Sequence, residues 1–172
     1  CKHGLVPINE FVNSSSFFHY FQSKEQLGKE LLERFCACTQ DKLQAACANE
    51  ADPLKRVHRM INGMIEMSTA CDGPHGCLLG TFAQELSDTN AGMRSMCAKA
   101  FEQWKMALKE ELDAAKAKHA PLAAIDTESL AEHFITVAEG AMIVGKAQRS
   151  STVMKESLTH YRRYLDTLFG AK

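Results

Sequence analysis

The chain predicts an all-α fold, and three observations carry that prediction. Apolar residues recur at three- to five-residue steps through most of its 172 positions. Residues that start and stop helices stand between those runs. No stretch sustains the two-residue alternation of a strand.

The elements follow in order. Ser23 stands three residues before Gln26, the capping-box spacing that satisfies orphan amides at a helix start. A long helix is expected from there to about Asn49, with Leu27, Leu31, Phe35, Cys38, Leu43 and Ala46 as its apolar stripe. Asp52-Pro53 restarts the chain, with Asp as N-cap and Pro at the first helical position. Leu54, Val57, Ile61, Met64, Ser68 and Cys71 continue that helix up to the break at Asp72–Gly76. A short, strongly apolar helix is expected from Cys77 to Ser87. Asn90 caps a longer one to about Lys118, with the cleanest spacing in the chain: Met93, Cys97, Phe101, Trp104, Leu108, Leu112 and Ala115. His119-Ala120-Pro121 ends it. Asp126 caps the next helix, and Ser150-Ser151 separates that from a final stripe of Met154, Leu158, Tyr161, Leu165 and Leu168.

Composition narrows the function. Hydrophobic residues make up 45% of the chain, enough for a substantial core, so a wholly disordered chain is excluded. The formal net charge is -1, so any contact with nucleic acid has to come from a local patch. No apolar run approaches the roughly 20 residues that span a bilayer, and no apolar leader opens the sequence. Seven cysteines, an odd number, fit reduced thiols and a cytoplasmic location without a membrane.

The most informative stretch is Ser14-Ser15-Ser16-Phe17-Phe18-His19-Tyr20-Phe21-Gln22-Ser23-Lys24-Glu25-Gln26-Leu27. It gathers four aromatic rings, an imidazole and a lysine around a helix start. Lys24 sits in the first turn, where the helix dipole disfavours a cation unless an anion lies nearby. A polyanion supplies one. The segment resembles the end of the helix-turn-helix in TetR/AcrR-family transcriptional regulators, whose signature reads roughly S-F-Y-H-Y-F-x-S-K-E-x-L. One written position differs, Phe18 in place of tyrosine.

That resemblance implies an all-α protein with a helix-turn-helix head followed by a helical ligand-binding and dimerisation domain. The head is expected over residues 1–30 and the second domain over 31–172. The head reads as truncated: the family would place a further helix before Cys1, and Ile8–Val12 runs into Asn13 without the family's Gly-Val turn. The implied function is a ligand-responsive regulator, a repressor by family habit, released from a palindromic operator by a small molecule or electrophile. The implied partners are double-stranded DNA and a second copy of the chain. An alternative of another class is a helical small-molecule-binding or thiol-sensing module without DNA activity.

Short hydroxyls, a phenol and a helix N-terminus all bind phosphate. Ser14, Ser15, Ser16, His19, Tyr20 and Lys24 are therefore DNA-binding candidates, and the resemblance adds Phe18, which stands where the family has tyrosine. Phe17 and Phe21 are better explained as core.

For the effector, methionines and rings suit an adaptable apolar cavity. Met64, Met67, Cys71, Cys77, Phe82, Phe101, Trp104, Phe134 and Met142 are the pocket candidates, most of them serving the core as well. The Gly76-Cys77-Leu78 step resembles one found in relatives that sense reactive electrophiles. A thiol at a helix N-terminus is expected to have a lowered pKa, with His75 or Lys146 adding to that effect. The plainer account, a buried small residue, weighs more. His133 and Glu139 either orient a ligand or face solvent.

The family's dimer is a four-helix bundle from the last two helices of each subunit. Gly140, Ala141, Gly145, Leu158, Tyr161 and Leu165 are the interface candidates, with an intramolecular core as the rival for Leu158 and Leu165. No enzyme is expected, since no acid, base and nucleophile converge and no phosphate-cradling loop or nucleophile elbow is present. No cofactor or metal is expected either. Cys36 and Cys38 point to nearly opposite sides of a helix, and His75 with Cys77 lacks two further ligands.

Overall fold

The computed structural model describes residues 21–69 and 76–170. Within them the chain forms α1 (Lys24–Cys47), α2 (Pro53–Thr69), α3 (Leu78–Leu86), α4 (Ala91–His119), α5 (Thr127–Gln148) and α6 (Thr152–Phe169). No strand occurs among the described residues.

Local chemistry explains where each helix begins. Ser23 Oγ accepts from the Gln26 N–H at 3.1 Å, and Gln26 Oε1 accepts from the Gln22 N–H at 2.8 Å. Asp52 Oδ1 takes the Leu54 and Lys55 amides at 3.0 and 3.1 Å. The Asn90 and Asp126 side chains accept from Met93 and Ser129 in the same manner. Each cap satisfies one or two of the four amides that a helix start leaves without an intrahelical partner. α5 ends on Arg149 in the left-handed region, φ 51°, where an L-residue is strained.

Two apolar clusters hold the helices together. The larger takes Leu54, Val57 and Ile61 from α2, Leu108 and Leu112 from α4, Leu130, Ala131 and Ala138 from α5, and Met154, Leu158, Tyr161, Leu165 and Phe169 from α6. The smaller joins Leu32 of α1, Cys77 and Leu79 at α3, and Met93, Cys97 and Ala100 of α4. A fully buried leucine contributes about 1.5–3 kcal/mol. The helices are thus fixed mainly by these stripes, with surface pairs such as Arg56 Nη2–Glu111 Oε2 at 2.7 Å adding cross-helix ties.

The stripe of α1 departs from expectation. Leu31 is 45% exposed while its neighbour Leu32 is 2% exposed, and Thr39 rather than Cys38 is buried. Helical periodicity locates a stripe to within about one position, and the packing of α3 and α4 selects the face.

α1 passes without interruption through residues 30 and 31, so whatever moves its first turn also moves its body. No helix among the described residues is long and apolar enough to cross a membrane.

Candidate functional site

A cavity of about 180 Å³ opens between α3 and α5. Gly76, Cys77, Gly80, Thr81, Gln84 and Glu85 form one wall, and Glu139, Met142, Ile143 and Lys146 form the other. The spacing follows from helical geometry. Gln84 lies one turn beyond Gly80 and Thr81 on α3, and Glu139, Met142, Ile143 and Lys146 share one face of α5.

Gly80 permits the close approach of the two walls. A Cβ at position 80 would coincide with Glu139 Oε2 and stand 3.1 Å from its Cδ. The Glu139 carboxyl therefore occupies the space left by the missing side chain. The Cys77 thiol donates to that carboxyl, and Cys77 Sγ in turn accepts from the Gly80 N–H at 3.4 Å. Burial pushes the Glu139 carboxyl above its usual range, with the thiol's hydrogen bond opposing. At the other end, a Cβ on Gly76 would lie 3.7 Å from Lys146 Nζ.

Cys77 corrects the expectation of a thiolate. It does cap α3, but it is only 5% exposed. Burial first, then the adjacent Glu139 charge, push its thiol up to about 12. The amides of Gly80 and Leu79 pull the other way and lose. A dipole shift at a helix start is a modest effect, and desolvating a charge next to a carboxylate exceeds it.

The remaining pocket candidates separate. Met142 lines the cavity. Met64 and Met67 belong to the larger cluster, Met64 buried within it and Met67 packed on it. Phe82, Phe101 and Trp104 pack on the smaller one, where Phe101 meets Trp104 edge-on at 6.2 Å and Phe35 lies 6.3 Å from Trp104. Phe134 stacks against Tyr161 at 5.4 Å. Cys71 and His75 lie outside the described residues. Glu139 orients into the cavity, whereas His133 is exposed. Sequence reasoning passed over Gly80, Thr81, Gln84, Glu85 and Ile143. The available signal was the small residue at 80 facing a carboxylate, a pairing that no local pattern marks.

Of the DNA-binding candidates, Lys24 is described: it is exposed in the first turn of α1, just past the Ser23 cap. Ser14, Ser15, Ser16, Phe18, His19 and Tyr20 lie outside the described residues.

The dimer candidates divide as well. Leu158 and Leu165 are 0% exposed and Tyr161 3%, all packed in their own subunit, and the Tyr161 hydroxyl donates to the Leu130 carbonyl at 2.8 Å. Ala141 is also buried, and Gly145 lets α6 pack closely, since a Cβ there would meet Ser150 O at 2.8 Å. These five side chains or positions present no surface to a second copy in this subunit. Gly140 differs, for nothing lies within 4 Å of its missing side chain.

Among the described residues no group of three or more His, Cys, Asp or Glu side chains is placed to hold a metal ion. The family model described as "Tetracyclin repressor-like, C-terminal domain" matches residues 53–161, more than half of the chain. The chain belongs to the TetR family of transcriptional regulators. It is 26% identical over 149 residues to the HTH-type transcriptional repressor DhaR of Mycobacterium sp. strain GP1, an alignment covering 86% of this chain and 73% of that protein. It is 30% identical over 139 residues to the transcriptional regulator AcuR of Cereibacter sphaeroides, covering 80% of this chain and 63% of the relative. Among solved structures, a regulatory protein TetR from Rhodobacter sphaeroides superposes with a TM-score of 0.78 at 25% identity, covering 88% of this chain and 81% of that one. The reduced form of E. coli NemR gives 0.72 at 25% identity, covering 88% and 79%.

TetR-family members bind DNA and act as dimers, and they are transcription factors rather than enzymes. The chain is accordingly a DNA-binding transcriptional regulator of all-α fold.

Proposed function

We propose that this TetR-family regulator represses transcription as a homodimer on a palindromic operator and leaves it when a small molecule fills the cavity between α3 and α5. One observation carries the proposal: α3 separates the cavity from the helix that follows the DNA-binding motif. Its Gly80, Thr81 and Gln84 face the cavity. Its Phe82 ring lies on the other side, 3.7 Å from where a side chain at Gly28 of α1 would begin. An occupant that displaces α3 therefore pushes on α1 one turn from Lys24. Ligand and DNA then oppose each other through a coupling free energy of about 1–3 kcal/mol.

In this reading residues 1–30 form the DNA head and 31–172 the effector and dimer body. Ser14, Ser15, Ser16, His19, Tyr20 and Lys24 hold phosphates, and Phe18, where the family has tyrosine, lacks the phenolic hydrogen bond. The dimer face lies on the outer side of α5 and α6. Gly140 is open there, Val144 is 43% exposed, and Tyr164 of α6 is 48% exposed. Scattered apolar exposure is ordinary, but two such residues beside an open glycine on the two helices that close the chain suit a helix-on-helix contact.

The sensing mode favoured by the cavity is reversible binding. A thiol held near 12 keeps little thiolate to capture an electrophile at neutral pH. Gel-shift titration of the intact protein on a palindromic duplex at two salt concentrations tests the regulator. Affinity should fall steeply with salt, as release of counterions from phosphates requires. Salt-insensitive or absent binding would refute it.

A further inference from the structure

The carboxyl of Glu139 is unusually placed for a charged group. It projects between two helices into a cavity, held against the bare Cα of Gly80. Its contact is the Cys77 thiol, and no ion pair reaches it among the described residues. Lys146, the one cation of the lining, sits seven residues on, about two turns and 10 Å along the axis, beside Gly76. Glu85 adds a second carboxylate to the opposite wall. Two carboxylates thus face one ammonium, and the negative end of the cavity has no counter-charge. A half-buried carboxylate without a cation is costly, and a ligand that brings one removes the cost.

Shape narrows the class further. About 180 Å³ is the liquid volume of roughly six waters, so the occupant is small. Met142 and Ile143 provide an apolar strip beside the carboxyl. An ionised carboxyl accepts at about four lone-pair positions. The Cys77 thiol uses one, so Glu139 keeps free acceptor positions for an ammonium N–H, whose other donors are left for solvent.

We propose that the cavity selects a small primary amine, its ammonium donating to Glu139 and its short carbon chain lying on Met142 and Ile143. This rests on the reading of the cavity as the effector site. It makes Glu139 the residue that determines specificity.

The test uses the full-length dimer and three probes of matched size: n-butylamine hydrochloride, sodium butyrate and butan-1-ol. Binding is read by calorimetry and by the shift in melting temperature, and operator release by gel shift. Butylamine should bind at least tenfold more tightly than either of the others, as a charge-assisted hydrogen bond implies. Glu139→Gln keeps the shape and removes the charge, so it should lose butylamine binding by about tenfold or more while its ligand-free melting temperature stays at or above that of wild type. Glu139→Asp should retain part of it. Butyrate binding as well as butylamine, no probe binding, or a Glu139→Gln variant that takes butylamine unchanged would each overturn the amine assignment.

A cavity-filling Met142→Trp variant separates this from the effector reading. If butyrate or butanol frees the operator from wild type but not from that variant, the cavity is the effector site and the amine class is wrong. If butylamine binds through Glu139 yet leaves the operator complex intact, the amine class stands and release through this cavity is wrong.

Discussion

The two apolar clusters of this subunit differ in what they are made of, and the difference divides the labour of the fold. The larger is built mainly from branched aliphatic side chains of four helices, with Val57, Ile61, Leu112, Leu158 and Leu165 at 0% exposure and Met64, Met154, Tyr161 and Phe169 among them. The smaller holds two buried thiols, Cys77 and Cys97, next to Met93, with Met96, Met142, Phe82 and Trp104 around it, and it borders the cavity. Branched aliphatic side chains in fixed rotamers resist change of shape, whereas the small buried thiols found only in the second cluster fill their space less firmly. The first cluster fixes the scaffold. On the proposed reading, the second yields to an occupant and passes the displacement to α1.

Substitution in the rigid cluster should break this contrast most severely. Leu158→Ala leaves a cavity among α2, α4, α5 and α6 and should destabilise the subunit by about 2–5 kcal/mol. Leu32→Ala in the softer cluster removes the same atoms, and its neighbours include the adaptable Met93. Its cost should fall toward the lower end of that range. Denaturant midpoints at constant m-value would show it, and equal losses would remove the distinction between rigid and adaptable cores.

Gly80→Ala comes next in size. It inserts a methyl where the Glu139 carboxyl sits and forces that flexible side chain aside, so after the helix propensity that Ala gains it should cost about 1–2 kcal/mol at most. It should also displace Glu139 and change ligand response more than DNA affinity. Adding Glu139→Ala in the same chain should recover most of the stability, because the clash has then lost one partner. Recovery below a third of the loss would mean that Gly80 is needed for another reason.

A smaller effect is expected at the base of the rigid cluster. Asp52 caps α2 and also bonds Lys118 Nζ at 2.7 Å and His119 Nε2 at 2.9 Å. The Lys118 ammonium, with the backbone amides and His119 behind it, holds this carboxyl well below its usual range. The folded form therefore favours the charged state. The stability it contributes is present above the ordinary aspartate pKa and is lost as pH falls through the lower folded value. Asp52→Ala should cost about 1 kcal/mol at pH 7, and the wild-type advantage should vanish in strong acid. An advantage that persisted there would show that the cap acts without its charge.

How much of this was legible in the sequence depends on the range of the interactions. Ser23 with Gln26, Asp52 with Pro53, Asn90 and Asp126 act within a few residues, and each helix starts where those residues say. The stripe of Leu158, Tyr161 and Leu165 was equally readable, yet periodicity cannot tell which subunit covers it. The structure seats those side chains against their own α2, α4 and α5. The cavity was the least readable feature. Gly80 and Glu139 are 59 residues apart, and neither belongs to a periodic pattern that points to the other. Reasoning from residue type favoured Phe82, Phe101 and Trp104, and those rings are engaged in packing. Residue type indicates that a side chain has to be buried, and only the tertiary arrangement says against what.

The least perturbing experiment probes the soft cluster without any substitution in the rigid one. With its thiol near 12 instead of the usual 9, Cys77 should hold about a thousandfold less thiolate at pH 7 than an ordinary cysteine. Alkylation followed peptide by peptide should leave Cys77 unmodified long after the half-buried Cys38 has reacted. Two causes act on Cys77, burial and the neighbouring carboxylate, and they can be separated. Glu139→Gln removes only the charge, so the Cys77 rate should rise in part and remain below that of Cys38. Ile143→Ala opens the cavity wall and should raise it through access. If Glu139→Gln alone brought Cys77 to the rate of Cys38, charge rather than burial would control the thiol, and a carboxylate-gated electrophile sensor would replace reversible ligand binding as the better account of this cavity.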